Sequence, residues 1–324
     1  MNVARAIAAK RVALLPALRI AFALAGLGAV YYLVRQIGPE QLEPLLVGSA
    51  PFLPLVLLLE LARQGCDAAG TYFAYGAARA RVPFRLVFRG QLVGNALGHM
   101  LPAGKVAGES SKAAHVLPFI GAEAAAAAGL TNQAMSFLAA ALVSLLSMIA
   151  AWARTGSSLL TAALLAHFVI LLGLGLATRT AMRAPSVSRF LARRFHRFVE
   201  STQAVEGAAR QGGYLPMGPL AALSAGRVVL VGEVATLALA AGVDVDLVGG
   251  LIAGGLEMLA AAAGFFVPGQ LGVSESSLVI GADAFGATAG QALSVGLLLH
   301  AVKIVLVPVG ATLPLLARTP PNRG

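Results

Sequence analysis

Apolar residues run along this chain in long blocks rather than in stripes. Predominantly apolar stretches recur at about 12–34, 51–78, 121–150, 158–177, 215–241 and 290–316. A helix rising 1.5 Å per residue needs about 20 such residues to cross a hydrocarbon layer about 30 Å thick. The pattern therefore predicts six full membrane spans. Two further apolar regions, 86–120 and 246–289, are each interrupted in the middle by Pro and Gly, and each predicts a broken helical hairpin.

The segments between the blocks sort by charge. Basic ones are the N-terminus (Arg5, Lys10, Arg11), 79–89 (Arg79, Arg81, Arg85, Arg89), 178–214 and the C-terminus (Arg318, Arg323). The 178–214 segment carries Arg179, Arg183, Arg189, Arg193, Arg194, Arg197 and Arg210 against Glu200 and Glu206. Poorly basic ones are 35–50 with Glu40 and Glu43, 151–157, and 242–246 with Asp244 and Asp246. Short basic loops stay in the cytoplasm. Threading the chain on that rule leaves one path, in which 86–120 begins and ends inside and 246–289 begins and ends outside. The expected fold is an all-α polytopic membrane protein with about six full spans plus two oppositely oriented re-entrant hairpins, an inverted-repeat architecture. Its first half covers 12–177, its basic cytoplasmic loop 178–214 and its second half 215–316, all within one transmembrane domain spanning 1–324.

Composition agrees. Of 324 residues, 58% are hydrophobic and 12% charged, whereas a soluble domain carries about 25% charged residues. The net charge of +10 could suggest nucleic acid, but the basic residues sit in loops beside apolar spans rather than on one clustered face. The run 12–34 is too long for a signal-peptide core and ends in Tyr31-Tyr32, an interface pair, so it reads as a retained span. The single cysteine, Cys66, allows no intrachain disulfide and no Cys-based metal cluster. No metal or cofactor motif is present, and none is expected.

The two interruptions share a signature. The first reads Pro102-Ala-Gly-Lys-Val-Ala-Gly-Glu109-Ser-Ser111, the second Pro268-Gly-Gln-Leu-Gly-Val-Ser-Glu275-Ser-Ser277. Pro to Glu-Ser-Ser spacing is the same in both, and the copies lie about half the chain apart. Matching breaks in hairpins of opposite orientation are what an inverted-topology repeat gives. A helix broken in hydrocarbon frees N–H and C=O groups that must face protein or a wet cavity. Pro is expected to end the first half-helix, and the second to begin near Glu109 or Glu275. Its N-terminus would present free N–H groups and partial positive charge to a phosphate or carboxylate. Glu109 and Glu275 are then either first-turn caps or direct participants in substrate or proton handling.

Other polar residues fall at membrane depth. Glu60, Arg63 and Asp67 share one helix face, as a self-neutralising ladder or with Arg63 as a headgroup contact. Gln91, Asn95 and His99 form a second stripe, and Glu257, Asp283, His300 and Lys303 gather in the second hairpin and last span. Arg227 and Glu233 are too far apart in angle to pair. Asn132, Gln133 and Ser136 read as interhelical glue, His167 as a satisfied packing residue, and the small-residue run 121–129 as a close-approach surface.

These residues resemble the flippase-like integral membrane family that includes the transmembrane region of lysylphosphatidylglycerol synthase/flippase proteins. The first break is similar to that family's Pro-x(n)-Gly-Gly-Glu segment at Pro102, Gly108 and Glu109, with Ala107 where the first Gly of the pair is usual. The second is similar to its Pro-Gly-x-Leu-Gly-x-x-Glu segment at Pro268, Gly269, Leu271, Gly272 and Glu275, the more specific match. Lys303 sits about where the family tends to carry a basic residue. The resemblance covers about 10–316, and the hopanoid-biosynthesis-associated branch looks nearest. It implies a lipid translocator in a bacterial plasma (inner) membrane, with both termini cytoplasmic. Two inverted halves would enclose a polar cavity, where half-helix N-termini with Arg63, Lys105, Lys112 and Lys303 hold an anionic headgroup. The partners implied are membrane lipids. The soluble aminoacyl-transferase domain of the full-length synthases is absent from this sequence, so lipid aminoacylation is not expected of it.

Enzyme motifs are mostly missing: there is no His-Glu-x-x-His pair, Gly-x-Ser-x-Gly elbow or P-loop. Two other classes remain as alternatives. One is a membrane-embedded lipid-modifying enzyme, with Glu109 or Glu275 and His99 or His300 as acid and base. The other is a scaffold for lipid synthesis working through the 178–214 loop.

Overall fold

The computed structural model describes residues 24–101, 104–185, 206–207 and 213–313, without the side chains of Lys105 and Pro268. Most of the predicted span 12–34, Pro102 and much of the 178–214 loop lie outside the described residues. Every regular element among the described residues is helical. We number the α-helices α1 (24–37), α2 (Pro39–Ser49), α3 (Leu53–Ala74), α4 (Phe84–Met100), α5 (Gly104–Thr155), α6 (Leu159–Arg183), α7 (Met217–Ala240), α8 (Leu247–Ala263), α9 (Val273–Ile280) and α10 (Ala289–Thr312). Five described stretches are long and apolar enough to cross a membrane: Pro39–Ala74, Val106–Thr155, Leu159–Arg183, Met217–Ala240 and Ala289–Thr312. Each overlaps one of the predicted spans. The chain is a polytopic all-α membrane protein.

Helix starts follow local chemistry. Ser158 accepts from the Thr161 amide at 3.2 Å and begins α6. Thr288 and Gln291 form a reciprocal capping box at α10, satisfying amides that have no partner inside the helix. Along the apolar helices, packing is set by small residues. Gly70 of α3 faces Leu223 of α7, and Gly226 faces Cys66 and Asp67, so these two helices run antiparallel along one seam.

Two hairpins are built into the bundle. In the first, α4 turns back into the opening part of α5, with Gly90 opposite Lys112 and His115, Gly94 opposite Gly108, and Leu97 opposite Gly104. The return stops at Gly121, where the backbone leaves the helix (φ 78°, ψ 166°). Val116 packs there with Val82 and Val87, so this hairpin begins and ends at the same end of the bundle. In the second, α8 turns back into α9, with Glu257 opposite Ser274, Leu256 opposite Ser277 and Gly249 opposite Phe285.

The second hairpin begins and ends at the other end of the bundle. That end is marked by the ion pair of Arg154 with Asp246 at 2.5 Å and by Gln291 bonding the Ala241 carbonyl at 3.1 Å. The first hairpin's end carries Arg79, Arg81 and Arg85, and Arg89 reaches the Leu313 carbonyl at 3.1 Å.

The structure departs from the expected architecture in three places. Helix α5 starts at Gly104, so Glu109 lies in its second turn rather than at its start. Helix α8 stops at Ala263, capped by Gly264, and Pro268 instead opens a 3-10 turn, Pro268–Gln270. Four residues, Gly264 to Val267, thus separate the end of the helix from the proline. Third, Arg179 belongs to α6 rather than to the basic loop. It is buried and donates to the Tyr214 and Gly213 carbonyls at 2.7 and 2.6 Å and to Thr131 at 3.2 Å.

Candidate functional site

The two breaks meet. The 3-10 turn at Pro268–Gln270 packs on α4, and a Cβ placed at Gly269 would lie 3.8 Å from both the His99 carbonyl oxygen and His300 Nε2. Around this point lies a pocket of about 330 Å³ lined by His99, Met100, Gly269, Leu271, His300 and Ile304, among others. Its walls are mostly apolar, with the two imidazoles as the polar groups.

Behind the pocket sit charged groups that the membrane would otherwise exclude. Glu60 is fully buried and accepts from Arg63 at 2.7 and 2.5 Å and from Gln64 at 2.7 Å. Gln64 in turn accepts from Gln91 of α4 at 2.8 Å, which ties the α3 ladder to the first hairpin. Arg63 also reaches Asp67 at 3.5 Å, and Asp67 faces Arg227 at 3.9 Å. Arg227 donates to Ser136 of α5 at 3.2 Å. On the other side Lys303 of α10 donates to Glu257 of α8 at 2.5 Å, and the second Glu257 oxygen accepts from Ser274. A buried charge pair survives only with its remaining lone pairs satisfied, and Ser274 and Gln64 supply those bonds.

The two signature glutamates differ. Glu275 is fully buried: one oxygen accepts the Gly272 amide at 2.8 Å, closing the start of α9, and the other lies 2.7 Å from His300 Nδ1. The other ring nitrogen, Nε2, is 2.6 Å from the Gly269 carbonyl oxygen. Glu109 is 40% exposed and pairs with Lys112 at 2.7 Å. Glu275 is therefore a cap and a histidine partner at once, and Glu109 is neither.

Of the residues expected to hold a headgroup, Arg63, Lys112 and Lys303 each have a carboxylate partner here. Lys303 and Arg63 lie within charge range of the interior carboxyls, while Lys112 lies along the α4–α5 contact at Gly94. Gly108 touches Gly94; Gly269 and Gly272 form the second break with Pro268. Pro102 and the Lys105 side chain are outside the described residues. Reading the sequence left two participants without a role. Glu233 is fully buried in α7 with neither oxygen hydrogen-bonded, and Glu257 anchors Lys303. Both carried a signal in the sequence, since each is a lone acidic residue in an apolar helix. His167 bonds Ser144 at 3.0 Å, a packing histidine with its need met. Among the described residues no cluster of His, Cys, Asp or Glu has the geometry of a metal site.

Compared with known families, the chain matches the profile described as lysylphosphatidylglycerol synthase TM region over residues 17–310. The match is to the family as a whole and singles out no branch. Neither the comparison with curated proteins nor that with solved structures gives a match.

Proposed function

Because the chain belongs to the lysylphosphatidylglycerol synthase transmembrane-region family, and so to a family of membrane-lipid function, we propose that it is a translocator of polar or anionic lipids. The observation that carries this reading is the meeting of two helix breaks beside buried ion pairs. Broken backbone and charge are stable at membrane depth only where they line protein or water, and a headgroup in transit needs that surrounding. In this reading the hairpins are re-entrant and enter from opposite faces. The arginine-rich end faces the cytoplasm, as the positive-inside rule implies, and the membrane is the bacterial inner membrane, as the family resemblance suggests. The headgroup passes between the halves by exchanging with the carboxylates for Arg63 and Lys303, while acyl chains stay in the bilayer.

The enzyme reading has one observation in its favour, the His300–Glu275 contact. Against it, both ring nitrogens of His300 already face acceptors, Glu275 and the Gly269 carbonyl. A general base needs a nitrogen within reach of substrate.

The test is transfer of a fluorescent anionic lipid between leaflets of proteoliposomes. Wild type is expected to exceed empty vesicles. The Glu60→Gln/Arg63→Gln double variant, which keeps a neutral hydrogen-bonded pair, is expected to fold and to lose transfer. Folded wild-type protein that moves no lipid contradicts the proposal.

A further inference from the structure

The bundle interior holds more carboxyl groups than permanent cations. Along the α3–α7 seam and around the second break stand five carboxyl groups: Glu60, Asp67, Glu233, Glu257 and Glu275. Three permanent cations face them: Arg63, Arg227 and Lys303. One of the carboxyls without a permanent cation lies against a histidine at the break. His300 presents Nδ1 to Glu275 and Nε2 to the Gly269 carbonyl. Glu275 thus has a partner of its own at the break. Glu233 is the carboxyl left without a partner. Its side chain is fully buried, neither oxygen has a hydrogen-bond partner, and it lies within charge range of Glu60 and Arg63 of α3, Glu257 of α8 and Lys303 of α10. From α5, the helix that also packs on α7, Ser136 reaches the seam but bonds Arg227.

We propose that Glu233 is a proton-binding site of the membrane interior, whose proton leaves and returns as the protein changes state. An isolated ionised carboxylate buried without a partner is not tolerated, so the state described here holds Glu233 as the neutral acid. When the proton leaves to water, the carboxylate becomes a further claimant on Arg63, already held by Glu60 and Asp67, and on Lys303, already held by Glu257. Lys303 and Arg63 are the groups it can draw, away from Glu257 or Glu60. Lys303 and His300 both sit on α10 one turn apart, and His300 holds the Gly269 carbonyl of the second break. Drawing Lys303 toward α7 therefore acts on the helix that clamps the break. No covalent bond changes in this step; one proton leaves and one ion pair exchanges partners. The site itself does not depend on the lipid-translocator reading, but its use in a transport cycle rests on that reading.

The site is tested on the purified full-length chain by infrared spectroscopy in H₂O and D₂O at neutral pH. The carboxylic-acid C=O band is expected in wild type and expected to be lost, in part or whole, in Glu233→Gln, with helicity by circular dichroism unchanged. Dicyclohexylcarbodiimide, which attacks protonated carboxyls in apolar surroundings, is expected to leave an adduct on the Glu233 peptide that the variant lacks. An acid band identical in wild type and folded Glu233→Gln overturns the proposal. In proteoliposomes, lipid transfer by wild type is expected to draw protons across the membrane, read by an internal pH dye, and Glu233→Gln is expected to abolish that flux. Absent lipid transfer with the acid band present removes the translocator reading and leaves the proton site standing.

Discussion

The two helical hairpins carry the same Pro…Glu-Ser-Ser signature and use it differently. In the first, the return helix starts early, at Gly104, so Glu109 rides a turn further on, partly exposed and paired with Lys112. In the second, Gly272 in the left-handed conformation (φ 80°) delays the start of α9 to Val273. Glu275 then falls at the third position, where its carboxylate can close on the Gly272 amide. A shift of one turn in where a helix starts converts the same residue from a surface ion pair into a buried cap with a histidine partner. The lesson is that a repeated motif fixes residue spacing, while the glycines around it decide what each residue touches.

Removing the glutamates should separate the hairpins most sharply. Glu275→Ala takes one partner from a buried pair and opens a helix start, a loss of about 3–5 kcal/mol for buried pairs of this kind. Glu109→Ala should cost about 0–1 kcal/mol, as for exposed pairs. Chemical or thermal unfolding of the detergent-solubilised variants reads the difference. Equal losses would mean that the copies are equivalent after all.

Next in size is the glycine pair. Gly272→Ala meets both a left-handed backbone, which costs a side-chain-bearing residue roughly 1–2 kcal/mol, and the Gly26 carbonyl 2.5 Å from the new Cβ. Gly108→Ala meets the Gly94 carbonyl, also at 2.5 Å, without the backbone term. Folded yield after detergent extraction should therefore fall further for Gly272→Ala, and a reversed order would show that the first break is the tighter one.

The smallest effect lies at the hairpin mouth. Asp246 caps α8 through the Gly249 amide at 2.7 Å, and that bond first, then Arg154, holds its carboxyl below the usual aspartate range. A carboxyl depressed in the folded state stabilises above its unfolded pKa and loses that stabilisation as pH falls through the folded value. Melting temperature should thus drop on acidification a little more in wild type than in Asp246→Asn. The first hairpin's mouth, opened by Pro83 with no side-chain cap, gives no counterpart.

Much of this architecture was legible in the sequence. Long apolar blocks announced the spans, and loop charge separated the ends that Arg89–Leu313 and Arg154–Asp246 now mark. The Glu60–Arg63–Asp67 ladder followed from helical spacing alone, since residues three and four apart are neighbours on a helix. What was not legible depended on distance in space. The sequence grouped Glu257 with Lys303 without pairing them, and Glu233 gains its meaning only from α3, α8 and α10 converging on it. Arg179 looked like one more loop cation until the chain returned at Gly213 and Tyr214 to receive it. The helix starts at Gly104 and Val273 were set by glycine backbone geometry, which the Pro…Glu spacing does not encode.

The central claim is that the two hairpins open to opposite faces of the membrane. It is tested most directly by single cysteines at Arg81, Thr155 and Asp244 in a Cys66→Ala background, probed in intact cells with a membrane-impermeant maleimide. All three positions are exposed, the first at the mouth of the α4–α5 hairpin, the other two at the end where the α8–α9 hairpin opens. The account predicts labelling at Thr155 and Asp244 in intact cells and at Arg81 only after permeabilisation. Labelling of Arg81 and Asp244 from the same side would contradict it.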